Sequence, residues 1–221
     1  MTYTFVWRVV LDHLGYILGG LTLTALVTVA ALLIGLLIGL VLGMASLSRR
    51  PYLLYPTRAY IEVFRNTPVL VQLIWVYYCL PLLVGVDLDA ITSCTLALGL
   101  NEGAYMAEIF RAGIQSVQRG EVEAARSLGF SHLQTMRYVL LPPATRRMIP
   151  PFVNQLVTLI KGSSLVSVLG VADLLYRARV LTTTLFRPIE LLTAVAVIYL
   201  VICWAISACA RRLEVRLAVR D

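Results

Sequence analysis

Apolar stretches of about twenty or more residues recur along this chain and constrain its fold more than any other feature. A helix needs about 20 predominantly apolar residues to cross the hydrocarbon core of a bilayer. Only 14% of the 221 residues are charged, and the mean hydropathy is +0.84. A soluble domain of ordinary composition carries charge on about a quarter of its residues. These observations predict an all-α fold, a polytopic membrane helix bundle that leaves no room for a separate soluble domain.

The pattern predicts about five transmembrane helices. They are placed at about residues 16–45, 67–85, 90–109, 149–175 and 188–210. The fourth is interrupted by the polar sequence Lys161-Gly162-Ser163-Ser164. We treat residues 1–221 as a single transmembrane domain with a core of about 16–217.

The distribution of basic residues predicts the orientation of this bundle. Short loops on the cytoplasmic side of a membrane retain Lys and Arg. If the N-terminus lies outside, fourteen arginines fall inside and four outside, and Lys161 lies within a span, which accounts for all 19 basic residues. The N-terminus is therefore predicted outside and the C-terminus in the cytoplasm, and the net charge of +7 follows from topology rather than from nucleic-acid binding.

A polar insert at about residues 118–143 separates the third and fourth spans, and this orientation places it in the cytoplasm. Gly120 is expected to end one helix, and Glu121 favours the N-terminus of a new one. Gly129 can adopt the left-handed conformation that closes a helix. The insert is thus predicted to contain a first short helix that ends at a glycine hinge.

A second short helix is predicted after that hinge. Ser131 and Gln134 have the spacing of a capping box, and Leu141-Pro142-Pro143 is expected to stop the helix. Val122, Ala125 and Leu128 recur at three-residue spacing, which gives the first helix an apolar stripe. From these residues alone, the pair could either dock in a partner protein or lie on lipid as an interfacial amphipathic pair.

The insert resembles the cytoplasmic coupling loop of ABC importer permeases, often called the EAA loop. The resemblance rests on Glu123-Ala124-Ala125, on Gly129 four positions later, and on Leu141-Pro142 preceded by Val139. Val139 stands where that family usually has Ile. The spacing is specific because it fixes several residue types across some twenty positions.

Three further segments are similar to permeases of polar amino-acid importers of the histidine/glutamine type. Residues 60–73, YIEVFRNTPVLVQL, resemble the start of their second span, and residues 103–114, GAYMAEIFRAGI, resemble their lead-in to the coupling loop. Lys161-Gly162-Ser163-Ser164-Leu165 resembles their Lys-Asp-Thr-Ser-Leu motif. Gly162 replaces the acidic residue of that motif and so removes a possible partner of Lys161.

This resemblance implies a transport function and a set of partners. The chain would be a permease subunit in a bacterial cytoplasmic membrane, working with ABC ATPase subunits, a second permease that is identical or different, and an extracytoplasmic solute-binding protein that delivers an amino acid. Force from the ATPase would enter through the coupling residues, which are Glu123, Ala124, Ala125, Arg126 and Gly129.

The sequence offers no chemistry of its own for such a cycle. It contains no Gly-x-x-x-x-Gly-Lys-Ser/Thr phosphate loop, because its only lysine, Lys161, is followed by Gly and Ser in an apolar span. No catalytic set or metal-ligating cluster is evident, with only His13 and His132 available. The chain is therefore predicted to be no enzyme and to hold no cofactor, with ATP and Mg²⁺ bound by the partner ATPase.

Lys161 and its neighbours are the first candidates for the substrate pathway. A lysine is costly in hydrocarbon and should face the bundle interior or a water-filled cavity. Broken transmembrane helices often hold substrates near the midplane of the bilayer. We therefore expect Lys161, with Ser163 or Ser164, to attract the substrate carboxylate. The alternative is a lysine that extends to the interface beside serines bonded to their own helix.

Glu102, Glu108 and Thr67 are further polar residues in or near spans. Glu102 lies deeper and is a candidate for lining the cavity, whereas Glu108 is expected to pair with an arginine. The Thr67 hydroxyl could either line the pathway or cap the helix that begins near Pro68.

Gly35, Gly39 and Gly43 recur every four residues on one face of the first span. Small residues allow close approach of helices in lipid. They could serve contact between two permeases or packing within one chain, and we favour the second. The rival function is an ion-driven or passive membrane carrier or channel that acts without an ATPase; such a protein usually has internal repeats, and we see none.

Overall fold

The computed structural model describes residues 3–217, with side chains to residue 212, and every regular element in that range is helical. The fold class predicted from composition is thereby confirmed. In chain order the elements are α1 (Arg8–Leu18), α2 (Leu21–Ser46), α3 (Pro51–Asn66), α4 (Val69–Tyr78), α5 (Leu80–Val84), α6 (Ala90–Gln115), α7 (Arg119–Ser127), α8 (His132–Gln134), a π-helical segment (Thr135–Leu140), α9 (Leu141–Ser163), a 3₁₀ segment (Ser164–Leu169), α10 (Leu174–Leu185) and α11 (Pro188–Leu217).

Three helical stretches of the described chain are long and apolar enough to cross a membrane. They are Leu21–Ser46, His132–Leu169 and Pro188–Arg212. The third predicted span corresponds to α6, which has 26 residues but carries several charged side chains. The second predicted span corresponds to α4, which is apolar but only ten residues long.

The first span is shorter than predicted. The expected helix from Tyr16 is interrupted, because α1 ends at Leu18 and α2 begins at Leu21. A Cβ on Gly20 would lie 2.6 Å from the backbone of Asp173 and of Leu174. Gly20 therefore leaves room for the start of α10 to pack against the break between α1 and α2.

The packing of α2 against α6 forms the centre of the bundle. An added Cβ on Gly35, Gly39 or Gly43 would lie only 2.3–2.8 Å from the nearest side-chain atoms of α6. Those atoms belong to Glu102, Met106 and Phe110. The glycine stripe therefore packs within this chain, as favoured from the sequence.

The second predicted span contains two short helices, α4 and α5, which meet at Cys79. At about 1.5 Å per residue, α4 spans about 15 Å, roughly half of a hydrocarbon core of about 30 Å. The preceding helix α3 ends at Asn66, and Thr67 and Pro68 are extended between α3 and α4. The predicted span over 67–85 therefore starts at this break, but it is not one helix, because α4 ends at Tyr78 and α5 follows over Leu80–Val84.

A proline pair inside the polar insert does not stop a helix. We expected Leu141-Pro142-Pro143 to end one, but helical structure runs from His132 to Leu169. The prolines occupy the first turn of α9, directly after the π-helical segment. Proline has no N–H group, so two amide hydrogen bonds are missing where the π-helical segment passes into α9, yet the helix continues. The second short helix is therefore continuous with the fourth span.

Helix α6 begins at a well-formed cap. The carboxylate of Asp89 accepts hydrogen bonds from the backbone N–H groups of Ile91 and Thr92, at 3.1 and 3.3 Å. The Thr92 hydroxyl also donates to this carboxylate. These bonds, that of the hydroxyl first, hold the pKa of Asp89 below its ordinary value.

Candidate functional site

A cavity of about 270 Å³ lies where the break between α3 and α4 meets α6 and α9. Its lining residues are Thr67, Pro68, Val69, Leu98, Asn101, Glu102, Tyr105, Gln155, Thr158, Leu159 and Gly162. We call it the α4–α6–α9 cavity. Its wall is mainly apolar, with a few polar groups and a single ionisable carboxyl group, the composition typical of small-molecule sites.

Glu102 supplies that carboxyl group. The residue is 1% exposed, and Oε2 accepts a hydrogen bond of 3.0 Å from Nε2 of Gln155. The other oxygen, Oε1, has no hydrogen-bond partner among the described residues. A buried carboxylate oxygen without a partner is costly, so this atom is a strong candidate for contact with a cationic group of a ligand.

Side chains of α4 and α6 donate hydrogen bonds to the chain at the break between α3 and α4. Nε2 of Gln72 donates to the Thr67 hydroxyl at 2.6 Å and to the Phe64 carbonyl at 2.9 Å. Nδ2 of Asn101 donates to the same carbonyl at 2.9 Å. The irregular backbone at the edge of the cavity is thus satisfied from both sides, as non-helical backbone at membrane depth requires.

The structure separates the residues predicted for the substrate pathway into two groups. Thr67 and Glu102 line the α4–α6–α9 cavity together. The Thr67 hydroxyl donates to the Val63 carbonyl at 2.8 Å, so it closes α3 instead of capping α4. Lys161, Ser163 and Ser164 are outside this lining.

Both serines are bonded to their own helix. Ser163 is fully buried and donates to the Ile160 carbonyl at 2.7 Å, and Ser164 donates to the Lys161 carbonyl at 2.7 Å. This is the alternative arrangement that the sequence left open. Lys161 itself is exposed at the surface of the single chain, beside the cavity residue Gly162.

Sequence reasoning missed several polar residues of the cavity. Asn101, Gln155 and Thr158 come from two spans and meet only in the folded bundle. Their signal in the sequence was an amide or hydroxyl within an otherwise apolar stretch. Polar side chains in a membrane helix usually face the bundle interior, where a partner is available.

Glu108 lies six residues after Glu102 on α6. It pairs with two arginines, in line with the pairing expected from the sequence. Its Oε2 is 2.7 Å from Nη2 of Arg111 and 3.4 Å from Nη1 of Arg65. The Arg65 guanidinium also lies 5.4 Å from the ring centroid of Tyr105, a cavity residue. Since Arg65 belongs to α3, these contacts join α3 to α6 beside the cavity residue Tyr105.

The polar insert forms a second candidate surface. The short helix α7 starts at Arg119, so Gly120 lies in its first turn and does not end α6, which stops at Gln115. Gly129 has φ +84° and closes α7 in the left-handed conformation, as predicted. Ser131 and Gln134 form the predicted capping box at the start of α8.

The proposed coupling residues differ in exposure. Glu123, Ala124, Arg126 and Gly129 are exposed, whereas Ala125 is buried within the chain. The apolar stripe expected along Val122, Ala125 and Leu128 does not form one surface. Ala125 faces inward, whereas Leu128 is 79% exposed. Three large apolar side chains stand out from the surface around the Gly129 hinge, namely Leu128, Phe130 and Leu133. An exposed apolar cluster of this kind marks an interaction surface.

Comparison with known families identifies the class of the chain. Residues 32–219 match the family described as binding-protein-dependent transport system inner membrane component. This match covers most of the sequence. The chain belongs to this family of membrane permeases.

Curated relatives of this permease have closely similar lengths. It is 42% identical over 161 residues to the glutamine transport system permease protein GlnP of Escherichia coli, covering 72% of this chain and 74% of that protein. It is 35% identical over 211 residues to the arginine transport system permease protein ArtQ of Bacillus subtilis, covering 96% of each.

A solved structure shares the fold of the permease. The crystal structure of an amino acid ABC transporter with histidines matches 97% of this chain and 100% of that chain, at 36% sequence identity and a TM-score of 0.90. The bundle and the insert between α6 and α9 are thus those of an ABC permease. The cavity and the surface around Gly129 are the two places where its function can be sought.

Proposed function

We propose that this chain is the permease subunit of an ATP-driven amino-acid importer, and that it forms the passage across the cytoplasmic membrane. The observation that carries the proposal is that one permease bundle contains both a cavity with a buried carboxyl group and an exposed surface around a glycine hinge. Names of the relatives, which include glutamine, arginine and glutamate/aspartate permeases, support amino acids as the substrate class.

Coupling to an ATPase would take place at α7 and the hinge that follows it. Glu123, Ala124 and Arg126 face outward and can contact a partner groove, while Ala125 packs inward and fixes α7 to the bundle. Gly129 turns the chain into α8, which continues through the π-helical segment into α9. Movement of α7 by a partner would therefore pass through the Gly129 turn to α8, and from there along one continuous helix to α9 and the cavity wall.

The α4–α6–α9 cavity is the proposed substrate site. Glu102 offers an unpartnered carboxyl oxygen, and Thr67 lies at the break beside the start of α4. Asn154, Thr158 and Lys161 are exposed at i, i+4 and i+7 on α9. A polar face on a membrane helix avoids lipid. We therefore propose that this face of α9 lines a water-filled passage between the chain and a second permease.

The remaining partners and the orientation follow from this assignment. The N-terminus would lie outside and the C-terminus in the cytoplasm, so that α7 meets an ATPase there. ATP and Mg²⁺ would be bound by that ATPase, and an extracytoplasmic solute-binding protein would deliver the amino acid. This chain itself would hold no cofactor and catalyse no reaction.

Reconstitution tests the proposal directly. Proteoliposomes containing this chain, its partner permease, the ATPase and the binding protein are expected to take up labelled amino acid only when ATP is enclosed. Uptake by the permease alone, driven by an ion gradient or without any energy source, would favour a carrier or channel instead. A Lys161→Met variant at matched protein levels is expected to take up amino acid more slowly, and unimpaired uptake would remove Lys161 from the passage.

A further inference from the structure

A second cavity, of about 340 Å³, lies between one face of α3 and the C-terminal ends of α2 and α6. We call it the α2–α3–α6 cavity. Ser46 and Gln115, the last residues of α2 and α6, both line it. Helix α7 of the polar insert begins at Arg119, so this cavity lies at the same end of the bundle as the insert. It shares no lining residue with the α4–α6–α9 cavity.

Three arginines make the wall of this cavity basic. Arg58 and Arg65 come from α3 and Arg111 from α6. Residues seven positions apart lie on the same face of a helix, so both arginines of α3 point to one side. Two carboxylates, those of Glu62 and Glu108, also line the cavity. Three positive and two negative groups leave the wall with one net positive charge.

The two carboxylates already have partners. Glu108 accepts hydrogen bonds from Nε and Nη2 of Arg111, at 3.0 and 2.7 Å. Nη1 of Arg111 donates to Gln115 at 2.8 Å, so this guanidinium uses all three of its nitrogens. Glu62 accepts a hydrogen bond of 2.6 Å from Nδ2 of Asn66. The groups that remain for a ligand are therefore the two arginines of α3.

These two arginines have donors to spare. Arg58 is exposed, and no carboxylate of the described residues lies within ion-pair distance of it. Arg65 lies 3.4 Å from Glu108 through Nη1 alone. A guanidinium carries five N–H donors, and pairs of them match the oxygens of a phosphate group. The cavity thus offers two guanidinium groups suited to a phosphate-bearing anion.

The lengths of the helices place this cavity at the level of lipid headgroups. Helices α2 and α6 have 26 residues each, which corresponds to about 39 Å, whereas the hydrocarbon core is about 30 Å thick. Their last residues therefore extend beyond the hydrocarbon. Tyr52 and Tyr55, in the first turns of α3, are 66% and 68% exposed. Tyrosine is enriched at the boundary between the membrane and water.

The surface next to the cavity suits acyl chains. Leu40, Val41 and Met44 are exposed on α2, close to its end at Ser46. Such a surface is as apolar as lipid tails, which can cover it in a bilayer. A free phosphate ion would contact only the arginines, whereas a phospholipid would contact the arginines and this apolar surface together.

We infer that the α2–α3–α6 cavity binds the headgroup of an anionic phospholipid, whose phosphate contacts Arg58 and Arg65. The inference rests on the proposed function only in placing the insert, and hence the cavity, at the cytoplasmic leaflet. Basic pockets between membrane helices on that side bind anionic headgroups. A lipid bound there joins α3 to α2 and α6, and α3 leads directly to the break at Thr67 and Pro68.

Three variants separate this site from general attraction to basic residues. Arg58→Gln removes the charge of an exposed side chain without an ion-pair partner, so the fold should be retained. Arg58→Lys keeps the charge but loses the paired donors of the guanidinium. Arg49→Gln is the matched control, because Arg49 is an exposed arginine between α2 and α3 that lies outside the lining of the cavity.

The measurement is lipid binding by native mass spectrometry of the purified permease, together with the subunits that co-purify with it. The probes are phosphatidylglycerol, phosphatidylcholine with the same acyl chains, and inorganic phosphate. Phosphatidylglycerol is expected to bind the unmodified protein more tightly than phosphatidylcholine. Arg58→Gln should weaken its binding about fivefold or more, the effect of one basic residue at an anionic lipid surface. Arg58→Lys should weaken it less, and Arg49→Gln should leave it nearly unchanged.

Inorganic phosphate distinguishes a lipid from a free anion. We expect it to displace phosphatidylglycerol only at far higher concentrations than the lipid itself requires. Displacement at comparable concentrations would show a site for a free anion and overturn the inference. Equal binding of phosphatidylglycerol by Arg58→Gln and the unmodified protein, or no preference over phosphatidylcholine, would overturn it as well. Because binding is measured without transport, a lack of ATP-driven uptake would contradict the proposed function alone.

Discussion

Nε2 of Gln155 lies 3.0 Å from Oε2 of Glu102, and this hydrogen bond joins α9 to α6 across the cavity. It is the only partner of the Glu102 carboxyl group among the described residues. Because the bond links the helix that follows the insert to the helix before it, movement of α9 would alter the environment of the buried carboxyl group directly.

Replacement of Gln155 by leucine is expected to destabilise the permease by about 1–3 kcal/mol, because the buried Glu102 then loses its partner. Thermal unfolding of the purified importer complex in detergent measures this loss. The double variant Gln155→Leu with Glu102→Gln should recover part of it, since the buried charge is removed. Equal stability of Gln155→Leu and the unmodified protein would show that the bond contributes nothing.

The contact of Gly39 with α6 predicts a larger steric effect. A Cβ on Gly39 would lie 2.3 Å from Cβ of Met106 and 3.0 Å from the Ala107 backbone nitrogen. Gly39→Ala must therefore separate α2 from α6, at a cost of about 1–3 kcal/mol typical of overpacking. Gly15→Ala is the control, because a Cβ there meets nothing within 4 Å. Equal unfolding temperatures for the two variants would contradict the close packing of α2 on α6.

A smaller effect is expected for the pair formed by Arg65 and Glu108. Their side chains are 40% and 26% exposed, so solvent screens the attraction. A double-mutant cycle with Arg65→Gln and Glu108→Gln should give a coupling energy of about 0.5–1 kcal/mol. Thermal unfolding at low salt is the measurement. A coupling energy of zero would mean that α3 is held to α6 by the other contacts alone.

Conformation at Gly129 is predicted to matter for coupling rather than for folding. Valine at φ +84° is strained by about 1–2 kcal/mol, although an added Cβ would meet no other atom. Gly129→Val should therefore reach the membrane at normal levels but show reduced ATP-driven uptake while hydrolysis continues. Gly129→Asn is the control, because asparagine tolerates this conformation. Equal impairment of both variants would show that the backbone angle is not the cause.

Local features of the sequence predicted several elements correctly. Gly129 and the capping box of Ser131 and Gln134 depend on residues within one turn of each other, so their spacing is sufficient. The glycines of α2 were also interpretable, because small residues at every fourth position have few uses other than close helix packing.

Features that depend on contacts distant in sequence were not predictable. Pro142 and Pro143 do not stop the helix that contains them, and the π-helical segment directly before them has no signal in the local sequence. The break at Thr67 and Pro68 is satisfied by Gln72 and Asn101, and the latter is more than thirty residues away. The cavity itself exists only where α4, α6 and α9 meet.

Labelling of a cysteine in place of Leu128 tests most directly whether the surface around Gly129 receives force from an ATPase. Leu128 is 79% exposed and contacts little of its own chain, so the replacement should not disturb folding. In a background with Cys79, Cys94, Cys203 and Cys209 replaced, we expect an impermeant thiol reagent to label this cysteine in inside-out vesicles only. Addition of the ATPase should then block labelling and permit cross-linking to it. Labelling from the outer face, or labelling unaffected by a bound ATPase, would contradict the account.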